Sequence, residues 1–304
     1  MTLLAIGTVA FDSIDTPFDT RSRILGGSAT YFSYAASFFV PVRLVGMVGK
    51  DWPDRYSQLL ADRGIDLTGL IQHPTNDTYF WHGRYSQDLQ DRETLVWNVN
   101  GFDQFKPVVP AAFRDSRIVY LGAAAPSVQL ETLEQCPESQ LVVADTVDAW
   151  IETARDDLDR LLARIDCLLI NDSEARQYTG VQNLVKAGKA LQAQGPRTVI
   201  IKKGEHGCLF FHNDLVAPCP AFPSESVIDP TGAGDSFAGG LVGHLASLPS
   251  IDESGWMDAI HTGTVVASFT VSGFSIEGLQ RIDLNEIYNR RRIFRTMLGL
   301  HRPQ

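Results

Sequence analysis

Short, unbroken apolar runs recur along this chain, separated by stretches of helical spacing. That rhythm constrains the fold more than any other feature. Leu3–Ile6, Val42–Val48, Ile118–Leu121, Leu141–Ala144, Cys167–Ile170 and Thr198–Ile201 each read as a strand. They are continuous rather than alternating, which implies a mostly parallel sheet covered by helices on both faces. The spacing predicts helices over about 54–63, 128–135, 151–164, 256–271 and 284–298. The expected class is α/β, in three α/β/α layers, with ligands at the carboxyl ends of the strands. The 304 residues hold no linker or repeat, so a single domain over 1–304 is expected.

One stretch carries chemistry: Asp229-Pro230-Thr231-Gly232-Ala233-Gly234-Asp235-Ser236-Phe237. Small residues stand between two acids, and an apolar helical run follows to about Leu248. A loop that becomes a helix there offers free backbone N–H groups with the positive end of the helix dipole behind them. Such a place binds anions, phosphate above all. An acid within an anion site needs a reason, and the reason is to take a proton from an attacking hydroxyl. Capping alone needs fewer small residues and one acid. No Gly-x-x-x-x-Gly-Lys-Ser/Thr occurs, and the dinucleotide pattern would need glycine at Phe237.

The stretch resembles the second signature of the ribokinase-like (PfkB) carbohydrate kinase family, with its Asp-x-Thr-Gly-Ala-Gly-Asp core. The resemblance implies the ribokinase-like fold. It also implies that Asp235 is the catalytic base, and that the amides of Gly232, Ala233, Gly234 and Asp235 form an anion hole. Asp229 and Thr231 occupy positions that help to bind a monovalent cation such as K+ in some members, although Glu277 falls near where those members use a small hydroxyl residue.

Other stretches extend the likeness. Gly26-Gly27-Ser28-Ala29-Thr30-Tyr31 resembles the first signature, a Gly-Gly turn that cradles the substrate. An Asp just after the first strand, here Asp12, binds substrate hydroxyls in the family, and a carboxylate accepts two such bonds. Sugar kinases of the family usually carry Asn where this chain has Tyr31. A ring suits a flat apolar substrate, or it packs within the helix. Asn171-Asp172-Ser173-Glu174 resembles the family's Asn-x-x-Glu motif, in which Asn171 and Glu174 position Mg2+ and the ATP phosphates; Ser173 as a helix cap is the plain alternative. Lys202-Lys203-Gly204-Glu205-His206-Gly207 forms a turn that borders the nucleotide in the family. Gly204 carries over; either lysine could touch phosphate, and His206 reads as a surface residue. Residues of the 256–271 helix and the 272–274 turn border the adenine there.

Residues 75–101 break the βα rhythm. Thr78–Tyr85 and Thr94–Asn100 alternate and are rich in aromatic residues, with the polar Ser86–Arg92 between them. With residues 12–24 they predict a small β lid, which would keep water from the donor and could join two copies as a homodimer.

A net charge of -10 argues against a nucleic-acid surface. No run is long enough to span a membrane, the amino terminus lacks a secretory pattern, and the four cysteines form no Cys-x-x-Cys. A cytoplasmic protein is expected. The expected activity is ATP-dependent phosphorylation of a hydroxymethyl group, on a nucleoside by preference because aromatic residues crowd the substrate side. A sugar such as ribose or fructose is the alternative acceptor. A silent ligand sensor on the same fold is the alternative class, and a hydride-transferring enzyme a weaker one. The cluster Arg290, Arg291, Arg292 and Arg295 reads as a solvated face.

Overall fold

The computed structural model describes residues 1–102 and 105–300; the last four residues of the expected 1–304 domain lie outside that range. Thirteen strands lie among the described residues: β1 (Leu3–Ile6), β2 (Ala10–Asp15), β3 (Thr20–Gly26), β4 (Val42–Val48), β5 (Ile65–Gln72), β6 (Tyr79–Tyr85), β7 (Arg92–Asn98), β8 (Ile118–Leu121), β9 (Leu141–Asp145), β10 (Cys167–Asn171), β11 (Thr198–Lys202), β12 (Cys208–His212) and β13 (Leu215–Cys219). Nine form one sheet in the order β13-β12-β11-β10-β9-β8-β1-β4-β5. Pairing from β5 to β11 is parallel; β12 and β13 are antiparallel.

The continuous apolar runs are explained by burial on both faces. Leu3 and Ala5 enter one core, Leu4 and Ile6 the other, and all four are fully buried. The first core also packs α1 (Ser28–Ala36), α8 (Ala233–Ser247) and α9 (Glu253–Thr270) against the sheet. Within it the rings of Phe32 and Tyr120 stack 3.6 Å apart. The second core takes α3 (Pro126–Glu134), α5 (Arg155–Leu162), α6 (Asp172–Thr179) and α7 (Leu184–Gln192). The helix expected over 151–164 is two pieces, α4 (Asp148–Thr153) and α5, because Ala154 leaves the helical region at φ −136° and ψ 38°.

The segments expected to form a lid make a separate four-stranded sheet in the order β3-β2-β6-β7. Its root is tied down where β4 ends. Asp51 accepts from the Thr78 N–H and hydroxyl at 2.7 Å each, and from Arg23 at 2.6 Å.

The arginine cluster is not simply solvated. On α11 (Leu284–Met297), Arg290 lies 3.4 Å over the Phe269 ring and donates to Ser268, Arg291 donates to Thr262, and Arg295 pairs with Asp258. These bonds hold α11 on α9, and a stacked guanidinium gains from the ring face as well. All four cysteines are free and buried.

Candidate active site

The parallel strands β9, β10 and β11 end at Asp145, Asn171 and Lys202, and side chains from several further elements join them around the glycine-rich loop. Gly232 caps α8 at φ +74°, a conformation that favours glycine. A Cβ there would also lie 2.4 Å from the Tyr31 ring. The Ala233 N–H donates to Pro230 O at 3.2 Å. No side chain caps the helix, and among the described residues no acceptor takes the Gly232 or Gly234 amide. Of the expected anion hole, those two amides are open and that of Ala233 is engaged.

Asp235 lies in the first turn of α8. Burial, then the neighbouring Asp145, raises its pKa to about 7, while Lys202 and Arg92 act the other way. Asp12 is 4% exposed. Burial and Asp229 raise its pKa to about 8. A Cβ on Gly26 would stand 2.0 Å from the Asp12 carboxylate, so only glycine leaves that carboxylate its place. Gly27 starts α1 at φ +93° against Thr8 O.

Tyr31 is buried, with its ring against Gly232, so the packing expectation holds for the ring. Its hydroxyl has no partner and feels Asp12, Asp229 and Asp235. Asp229 is fully buried. Its Oδ1 accepts from the Thr231 N–H at 2.9 Å, and its Oδ2 has no partner. Burial raises its pKa to about 6. Glu277 forms an ion pair with Arg281 at 3.4 Å.

Asn171, not Ser173, caps α6. Its Oδ1 accepts from the Glu174 N–H at 2.7 Å, and Glu174 Oε2 accepts from the Asn171 N–H at 2.9 Å. This capping box buries Glu174, and burial raises its pKa to about 7 against the pull of Lys202. Gly204 stands at φ +54° facing open space, and His206 is exposed.

Sequence reasoning left Lys202 undistinguished from Lys203 and passed over Asp145. Lys202 Nζ donates to Asp145 Oδ2 at 2.7 Å. Burial works against its charge, but Asp145 and Glu174 outweigh it and raise its pKa. The ammonium reaches Gly234: a Cβ there would lie 3.2 Å from Nζ. Asp145 and Lys202 end β9 and β11, so the rule that ligands bind at strand carboxyl ends was the available signal. Tyr85 was missed too; its hydroxyl lies 2.9 Å from Thr231 Oγ1.

Among the described residues no three His, Cys, Asp or Glu side chains are grouped to hold a metal ion. The oxygen donors Asp145 and Glu174 beside an open anion loop fit Mg2+, which keeps most of its waters and binds through phosphates and one or two carboxylates.

Open amides at a half-buried helix start, a lysine beside them and a carboxylate of raised pKa define a phosphotransferase on an α/β sheet. Residues 6–277 match the model of the pfkB family carbohydrate kinases. The chain belongs to that family, and it is an enzyme that phosphorylates an alcohol group with ATP as donor. It is 26% identical to a cytidine kinase of Thermococcus kodakarensis over 254 residues, 81% of this chain and 90% of that one. A Burkholderia thailandensis nucleoside kinase in complex with inosine superposes with a TM-score of 0.78 at 21% identity, over 100% of this chain and 99% of that one. An Escherichia coli protein assigned as a ribokinase II, solved with ATP and Mg2+, gives 0.79 at 18% identity, over 96% and 99%. Among the described residues, no helix is long and apolar enough to cross a membrane.

Proposed function

We propose that the acceptor is a nucleoside, phosphorylated on its hydroxymethyl group. The observation that carries this is the register of the lid. Asp12 lies opposite Trp81, and Trp81 opposite Trp97; Ala10 lies opposite Tyr79. Residues directly opposite share a face of a sheet, so a hydroxyl-binding carboxylate and three aromatic side chains line one side. A sugar ring meets the first, and a planar base meets the second. The names of the cytidine kinase relative and the inosine-bound neighbour support the same choice. A plain sugar is the second reading, because Asp12 and the Gly26–Gly27 turn serve hydroxyls whatever else the acceptor carries.

In this reading Asp235 takes the proton from the acceptor hydroxyl as it attacks the γ-phosphoryl group. The amides of Gly232 and Gly234 and the ammonium of Lys202 hold the transferring oxygens. Bound Mg2+ supplies neutralisation of phosphate charge, held near Asn171 and Glu174. Gly204 leaves room beside the nucleotide. Tyr31 backs the loop and aims its unspent hydroxyl at the acceptor. K+ would lie beside Asp229 and Thr231, where the buried Oδ2 has no partner. We place the enzyme in the cytoplasm and read the lid as its dimer contact.

A panel of nucleosides and sugars, assayed for ADP release with and without K+, tests this. Nucleosides should be turned over with the highest kcat/KM, and K+ should raise the rate. Turnover of sugars alone would overturn the acceptor assignment, and a rate indifferent to K+ would remove the cation.

A further inference from the structure

We infer that Tyr85 is a positioning residue that latches the lid onto the glycine-rich loop and so couples closure over the acceptor to phosphoryl transfer. The Tyr85 hydroxyl and Thr231 Oγ1 are 2.9 Å apart across 146 residues of chain. Among the described residues this is the only hydrogen bond between the β6–β7 hairpin and the 229–235 loop.

Both ends of the bond are firm. Tyr85 closes β6 opposite Arg92, which opens β7. Beyond that rung the tip folds on itself: the Ser86 N–H donates to Asp91 O at 2.9 Å, and the Ser86 hydroxyl donates to Asp88 at 2.6 Å and accepts from the Asp91 N–H at 2.9 Å. Tyr85 therefore projects from a stiff corner. Across the gap, Thr231 is fixed through Asp229, and Gly232 is seated on the Tyr31 ring. A lid that lifts must break the bond, and the loop then loses a restraint one residue before its first open amide. Burial raises the Tyr85 pKa to about 12, so the phenol keeps its proton at working pH. The same rung carries Arg92, whose charge acts on Asp12 and Asp235. Closing the hairpin thus brings a restraint and a positive charge to the site together.

The inference rests on the kinase reading above. The test compares wild type with Tyr85→Phe for kcat, KM for ATP, melting temperature and ADP released per phosphorylated acceptor. Phenylalanine keeps the ring and removes the bond. Expected is a fall in kcat of about two- to tenfold, the worth of one net hydrogen bond, with the KM for ATP and the melting temperature unchanged. The ratio of ADP to product should rise above one, as water reaches the donor. Thr231→Val, with all variants and wild type compared in K+-free buffer, should do the same, and the double variant should be no worse than either single one. A wild-type kcat and ratio in Tyr85→Phe would overturn the inference, as would losses that multiply in the double variant or that track a lowered melting temperature. Failure of the nucleoside reading looks different: wild type then works on a sugar, and the ratio is measured with that acceptor.

Discussion

Burial makes Asp235 costly to ionise. Its ordinary pKa is 3.8 and its folded value about 7, raised by burial and then by Asp145. Between those values the folded chain holds a proton that the unfolded chain has released. Lower pH therefore favours folding, and the stability contribution falls as pH rises from about 4 to about 7. Asp12, raised to about 8, adds a slope of the same sign. With Asp235 as the proposed base, activity would need the ionised form and run the opposite way. Below about pH 7, kcat/KM should fall about tenfold per unit, and above it should level off. Asp235→Asn should lower kcat by about two to four orders of magnitude, keep nucleotide binding, and flatten the fall of melting temperature with pH. A pH profile without an acidic limb, or near wild-type turnover in that variant, would remove Asp235 from the role of base.

Helix α6 shows how one element serves two ends. Asn171 and Glu174 satisfy each other's backbone groups, and that fixes Glu174 beside the Lys202 charge. Asn171→Ala should cost about 1 kcal/mol of stability through the lost cap, seen in denaturant melts. Asn171→Ser should restore the cap, yet leave the KM for ATP raised if the amide also serves the nucleotide. A KM restored together with stability would make the motif a cap alone. The capping function itself was not assigned to Asn171 from sequence, because Ser173 spells a cap equally well and only the backbone decides which residue leaves the helix. Elements buried on both faces were legible, since β1, β4 and β8–β11 write burial as unbroken apolar runs. β5 was not, because an edge strand alternates exposed and buried positions, and its Ile65–Gln72 run mixes polar and apolar residues. α6 and α7 are only eight and nine residues long, so each offers about two turns of periodicity to read. The glycine loop was legible because its chemistry is local. The Lys202–Asp145 pair was not, because 57 residues separate two strand ends that only the sheet order brings together. The arginines of α11 failed for the related reason that charge in sequence does not reveal a ring or hydroxyl beneath it.

At the scale of the whole molecule, the lid poses a problem that the central sheet does not. Its outer strand β7 pairs only with β6 and is largely exposed, with Val96 at 37% and Trp97 at 45%. An edge strand with exposed apolar side chains is a template for pairing, and proteins ordinarily cover or charge such edges. Here Arg92 and Glu93 blunt one end, while Val96 and Trp97 at the other remain bare. The Trp97 ring contacts Trp150 of the body at 6.4 Å between centroids, which favours the closed position of this part of β7. A second copy placing its own lid against β7 would cover the edge and steady the hairpin that bears Tyr85. Sedimentation at micromolar protein should then give a dimer, and Val96→Lys, which charges the edge without touching the site residues, should give a folded monomer whose melting temperature no longer depends on protein concentration. Because the lid would lose an outside support, that monomer should also release more ADP per phosphorylated acceptor than the dimer does. A wild-type chain that sediments as a monomer at every concentration, with one ADP per product, would show that the Asp51 root and the Tyr85 bond hold the lid without help from a partner.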